Sequence, residues 1–169
     1  RGRHSATFSK NHAIFVHQIS DPSRMPESVV RHTDGQTLGK LPSVAEEPPF
    51  KPRIEWLMTG RQSQFHAMIV RPEDFDPNRR YPIVMYVYGG PTANVVQSSM
   101  GPHLLKQWIA NQGFIVVSMD GRGTPGRGRD WERSLAKRFG SVTVEDHAEG
   151  IQELVKRFPE MDGGRVGVF

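Results

Sequence analysis

Apolar positions along the chain fall into three patterns. In residues 1–41 they come in short runs, "ATFS", "AIFVHQIS" and "SVVRHTDGQTLGKL", whose residue types favour β-strands. Asp34-Gly35 sits between two of these strand-like stretches and predicts a hairpin turn. A few short strands with tight turns bury no core of their own, so this stretch is expected to be one sheet, or blade, of a larger β-domain. Residues 42–52, "PSVAEEPPFKP", contain four prolines and interrupt any regular element. They predict a crossover between an N-terminal β-region, 1–50, and a second domain, 51–169.

Beyond the crossover the runs lengthen and become more apolar. "RIEWLMTG" and "QFHAMIVRP" predict two strands, with Pro72 ending the second. "IVMYVYGG" (83–90) and "FIVVSMD" (114–120) are nearly continuous apolar runs, as expected of strands buried on both faces of a sheet. Between them, Leu104, Leu105, Trp108 and Ile109 share one face of a predicted helix over 102–112, with Gly113 as its C-terminal stop. After a glycine-rich loop, "TVEDHAEGIQELVKRF" predicts a second helix. Its apolar face carries Ala148, Ile151, Leu154, Val155 and Phe158, with Glu153 and Arg157 paired at i, i+4. The segment "MDGGR" reads as a turn into a final strand, "VGVF". Strand–helix–strand–helix–strand predicts an open α/β sheet.

Composition narrows the classes. The 169 residues are 36% hydrophobic and 24% charged, with a net charge of +4, as in an ordinary globular protein. The basic residues are scattered, so the charge does not predict a nucleic-acid partner. No apolar run approaches the length of a membrane span. The absence of cysteine excludes disulfides, thiolate catalysis and cysteine-ligated zinc. The chain opens on Arg1 instead of Met and reads as a piece of something longer.

The loop "SMDGRGTPGRGRDW" contains Gly121, Gly123 and Gly126 in the G-x-G-x-x-G spacing of dinucleotide-binding loops. Its context argues against that use. Pro125 and Gly128 make a poor helix start, and Glu145, at about the right distance for the ribose-binding acid, opens a helix instead of closing a strand. No nucleotide, other cofactor or metal is therefore expected. His147 has Ile151 at i+4, so there is no H-E-x-x-H pair, and it reads as a helix-surface or packing histidine. Glu145 and Asp146 read as first-turn acids that favour the helix dipole.

"YVYGGP" (86–91) is the segment with the most definite chemistry. It closes a buried strand and precedes a helix, the place where α/β-hydrolases supply one donor of the oxyanion hole. Gly89, Gly90 and Pro91 suit a loop that a substrate carbonyl must approach closely, and the Tyr88 hydroxyl can donate to a developing oxyanion. Taken alone, the segment slightly favours Tyr88 as a packed aromatic beside a simple turn.

Four segments in one order, "FDPNRRYPIVMYVYGGP", "GFIVVSMDGRGTPGRGRDWER", "FGSVTVEDHAEGIQEL" and "RVGVF", resemble the catalytic domain of the prolyl oligopeptidase family over residues 65–169. Residues 1–50 resemble the last blade of that family's β-propeller and its return strand. The Tyr-Gly-Gly-Pro form and the "VEDH" helix are most similar to the dipeptidyl peptidase IV branch and its bacterial relatives. The resemblance implies the N-terminal part of an α/β-hydrolase domain from a serine exopeptidase. Such an enzyme would remove dipeptides from free peptide N-termini after Pro or Ala. It implies Tyr88 as side-chain oxyanion donor, and Asp120, Arg122 and Gly123 as a loop supporting the active-site face. It also implies a nucleophile elbow directly after "RVGVF", so the Ser, Asp and His of the triad are expected outside these residues and the chain alone is expected to be inactive. An acylaminoacyl-peptidase or oligopeptidase, or a catalytically dead homologue acting by binding, fits the same residues. Relatives imply a periplasmic or secreted, dimeric parent. An open strand after residue 164 would expose an apolar edge, from which self-association or marginal folding is expected.

Overall fold

A computed structural model of the chain describes residues 2–62 and 64–169. Its contacts divide it into two units. One runs to Pro52 and includes Gln97–Leu105; the other comprises Arg53–Val96 and Lys106–Phe169.

The first unit is a four-stranded antiparallel meander: β1 (Arg3–Phe8), β2 (Ile14–Asp21), β3 (Arg24–His32) and β4 (Thr37–Leu41). The turn predicted at Asp34-Gly35 joins β3 to β4. Gly35 adopts φ 95° and donates its N–H to His32 O, a backbone state that suits glycine. Only Val29 is a buried apolar residue in these strands, as expected of a sheet without a second layer of its own.

The second unit holds a five-stranded sheet in the order β5 (Ile54–Thr59), β6 (Phe65–Val70), β8 (Ile115–Asp120), β7 (Tyr81–Tyr86), β9 (Met161–Val168). The β5–β6 and β6–β8 pairs are antiparallel, while β7 runs parallel to both β8 and β9. Every residue of β8 is buried, which is why its sequence reads as a nearly continuous apolar run, interrupted only by Ser118 before the terminal Asp120. Successive side chains alternate between two cores. Met68, Val70 and Val116 pack with Ile109 and Ala110 of helix α1 (Gly101–Ala110). Ile69, Ile83 and Val117 pack on the other face with Ile151, Leu154 and Val155 of α3 (Ser141–Arg157). The short α2 (Arg129–Arg133) lies in the loop between β8 and α3.

Five sequence expectations need correction. In α1, Leu105 and Trp108 are about half exposed, whereas Lys106, Gln107 and Ala110 are buried. Gln107 occupies the inner face because strand-end backbone groups need partners there. It donates to Arg71 O at 2.9 Å and accepts from Arg53 N at 2.8 Å. In α3, Ala148 is exposed, and the innermost row is Val142, Asp146, Gly150 and Leu154, spaced by four. Gly150 belongs there because a Cβ would come within 2.2 Å of Met119 Sδ. Glu145 and Asp146 lie beyond the helix's first turn, and Glu153 pairs with Lys156 at 2.7 Å instead of with Arg157. The "MDGGR" segment is part of β9. Asp162 pairs with Pro82 but Val166 pairs with Ile83, so Gly163, Gly164 and Arg165 form a bulge in the ladder.

Candidate active site

The carboxyl ends of the parallel strands β7 and β8 lie side by side, the position where open α/β sheets bind ligands. The backbone beyond Tyr86 continues pairing through Val87, which donates to Phe169 O at 3.1 Å. Tyr88 then stands about half exposed, its hydroxyl against Thr92 Oγ1 at 2.5 Å. Gly89 takes φ 64°, and a Cβ there would lie 2.6 Å from Thr143 Cγ2, so both conformation and space require glycine. Gly90 is buried beneath the Tyr88 ring, where a Cβ would meet Tyr88 Cε1 at 2.9 Å. Pro91 is exposed.

Asp120 ends β8 and is buried. Its Oδ1 accepts the N–H of Val95 at 2.7 Å, and both its oxygens lie within reach of Val96 N–H. Burial pushes its carboxyl above the usual range, and those N–H donors pull it back. Lys106 holds the other side of the same peptide stretch. Its Nζ donates to Val95 O at 3.4 Å and stands 4.2 Å from the Tyr86 ring centroid. Burial brings the Lys106 ammonium down to about 8, with Asp120 opposing the shift. The segment after the Tyr88 loop is thus pinned from β8 at its N–H groups and from α1 at a carbonyl.

Arg122 begins the glycine-rich loop and clasps Asp146 on α3. Its backbone N–H donates to Oδ2 at 2.6 Å, and its Nε and Nη2 donate to Oδ1 at 2.8 and 2.6 Å. Asp146 raises the basicity of the guanidinium further. Gly121 approaches the same carboxylate, and Gly123, at φ 92°, lies where a Cβ would come within 2.0 Å of Leu135 Cδ1. Two of the three fingerprint glycines therefore serve internal packing of the loop.

Tyr88, Gly89, Asp120 and Arg122 line one narrow recess together with Thr143 and His147; Gly90, Pro91 and Gly123 flank it. His147 is buried, donating from Nδ1 to Thr143 O at 2.7 Å, while its Nε2 has no hydrogen-bond partner among the described residues. The packing reading of this histidine holds and the helix-surface one does not. Thr143, Asp146 and Lys106 carry no sequence signal of their own, because each acts through a partner distant in the chain. A larger cleft of about 490 Å³ lies between α3 and the β9 bulge, lined by Ile151, Val155 and Val166; it is more apolar and lies apart from these titratable groups. Ser118 is wholly buried in mid-β8. Among the described residues no group of three or more His, Asp or Glu could hold a metal ion, and no helix is long and apolar enough to cross a membrane.

Residues 103–169 match the Prolyl oligopeptidase family. Dipeptidyl peptidase 8 of Homo sapiens is 26% identical over 159 residues, covering 93% of this chain and 18% of that protein. Dipeptidyl-peptidase 5 of Porphyromonas gingivalis is 31% identical over 112 residues, covering 66% of this chain and 16% of that protein. The crystal structure of dipeptidyl peptidase 4 from Porphyromonas gingivalis superposes with a TM-score of 0.86 at 27% identity, covering 99% of this chain and 25% of that one. A putative dipeptidyl aminopeptidase IV from Bacteroides ovatus does so with a TM-score of 0.85, also at 27% identity and with the same coverage. The chain thus spans less than a fifth of these curated relatives and a quarter of these solved chains.

Proposed function

The chain belongs to the prolyl oligopeptidase family, and on that premise we propose that the protein carrying it is a serine exopeptidase that removes dipeptides from free peptide N-termini, after Pro or Ala. In this reading residues 1–50 close a propeller and residues 51–169 begin the hydrolase domain. The observation that carries it is the placement of Tyr88 at the carboxyl end of β7, beside Asp120 at the end of the neighbouring strand and Arg122 in the loop that follows it.

The chemistry assigned to these residues is electrostatic. When a serine attacks the scissile carbonyl, negative charge develops on its oxygen, and a donor already aimed at that position lowers the barrier. One such donor is worth about 10²–10³ in rate. Tyr88 suits the role because the residue is half exposed and its hydroxyl bonds only another side-chain hydroxyl, Thr92 Oγ1, which it can exchange for the oxyanion. Asp120 and Arg122 touch no substrate in this scheme; they hold the backbone around the donor. The triad Ser, Asp and His are assigned to the rest of the protein, and Ser118, wholly buried in β8, is not the nucleophile.

The test is hydrolysis by the complete protein of Gly-Pro-p-nitroanilide against N-acetyl-Ala-p-nitroanilide, with fluorophosphonate labelling alongside. Cleavage of the free-amine substrate and labelling of one serine are expected. Preference for the acetylated substrate would assign an acylaminoacyl-peptidase, and failure of both cleavage and labelling would assign a binding protein.

A further inference from the structure

We propose that Thr143, on α3, is a positioning residue that sets the oxyanion loop by fixing the Gly89–Gly90 peptide plane. The inference rests on the reading of Tyr88 as the oxyanion donor and names what holds that donor in place.

Thr143 Oγ1 donates to the carbonyl of Gly89 at 3.1 Å. A trans peptide is planar, with its C=O and N–H pointing in opposite directions, and the chain has no cis bond among the described residues. Holding the Gly89 carbonyl against α3 therefore turns the Gly90 N–H away from α3. Gly89 alone would not settle this orientation, since glycine is the residue most free to rotate its flanking peptides. The Thr143 methyl adds a steric stop: the position of a Gly89 Cβ is already only 2.6 Å from Thr143 Cγ2. The Tyr88 ring in turn rests on Gly90, so moving this peptide moves the surface that carries the phenol.

Thr143 is itself held. Its carbonyl accepts His147 Nδ1 at 2.7 Å. One turn further on, Asp146 locks α3 to the Arg122 loop, and Thr59 Oγ1 donates to Gly150 O at 2.9 Å. The loop is thus referenced to the sheet through α3, independently of the Asp120 contacts that pin residues 95 and 96.

The experiment compares T143V, T143S and Y88F in the complete protein, reading kcat and KM on a dipeptidyl p-nitroanilide together with amide hydrogen exchange over residues 89–92. T143V keeps the shape and removes the donor, whereas T143S keeps the donor. T143V is expected to lower kcat about fivefold, the factor one neutral hydrogen bond carries, with KM within about twofold and faster exchange at Gly90. T143S is expected to stay within about twofold of the parent in kcat. A large loss in Y88F with parental kcat in T143V overturns the inference and leaves the oxyanion reading standing. Parental kcat in Y88F overturns the oxyanion reading and with it the catalytic role of Thr143; unchanged exchange at Gly90 in T143V overturns the anchoring itself.

Discussion

Arg122 and Asp146 form a two-sided clasp, in which the Asp146 carboxylate accepts both the backbone N–H and the guanidinium of the same arginine. Asp146 is 1% exposed and the Arg122 side chain 35%, so the anion sits in the protein and the cation at its edge. The clasp ties the loop that follows β8 to the helix that backs the Tyr88 loop.

Removing the anion leaves Arg122 and its N–H without their shared acceptor. Asp146→Ala is expected to destabilise the folded chain by about 3 kcal/mol, at the low end for a broken buried pair because Arg122 retains partial hydration. Asp146→Asn keeps one acceptor and should cost less. Urea unfolding checks both, and a loss below about 0.5 kcal/mol in Asp146→Ala would deny the clasp its role.

Lys106 gives a pH signature of definite sign. Its folded-state value is lowered by burial to about 8, below the 10.5 of an unfolded lysine. Between those values the unfolded chain binds the proton and the folded chain does not, so stability rises with pH across the window. Below about pH 8 the buried ammonium is a constant cost. Relative to Lys106→Met, the parent chain should gain about 3 kcal/mol on going from pH 8 to 10.5. A flat difference over that range in paired unfolding curves would contradict the burial of the charge.

Gly123 and Gly126 share a positive φ, 92° and 87°, but only Gly123 faces a wall, at Leu135. Gly126→Ala should therefore cost about 1 kcal/mol, the conformational penalty alone. Gly123→Ala adds a clash and should cost about 3 kcal/mol, part of it recovered by Leu135→Ala. Equal losses in the two single variants, measured by thermal melting, would show that the loop does not pack as described.

Local periodicity explains what the sequence made legible. The apolar runs ending in "YVYGG" and "SMDG" mark β7 and β8 because buried parallel strands admit few polar residues, and Asp34-Gly35 marks its turn through backbone chemistry alone. The Tyr88 loop was visible for the same reason. Residues whose burial is decided by remote partners stayed hidden. Gln107 lies inward because Arg53 and Arg71 end their strands beneath it, and Asp146 because Arg122 reaches it across 24 residues of chain. Thr143 matters through Gly89, 54 residues away, and nothing in "GSVTVEDH" announces that contact. The α1 stripe departs from its helical period on this account: Leu105 and Trp108 match the period, but the polar residues beside them hold the inner positions.

The role proposed for Tyr88, stabilising the oxyanion of a serine peptidase, is decided by single-turnover acylation with the Tyr88→Phe variant of the complete protein. The variant loses one hydroxyl and, with it, the Thr92 contact. The acylation rate should fall by about 10²–10³, while substrate affinity changes by less than about threefold, because the bond is made in the transition state. An acylation rate within about twofold of the parent would contradict the claim and leave Tyr88 as an aromatic packed over Gly90.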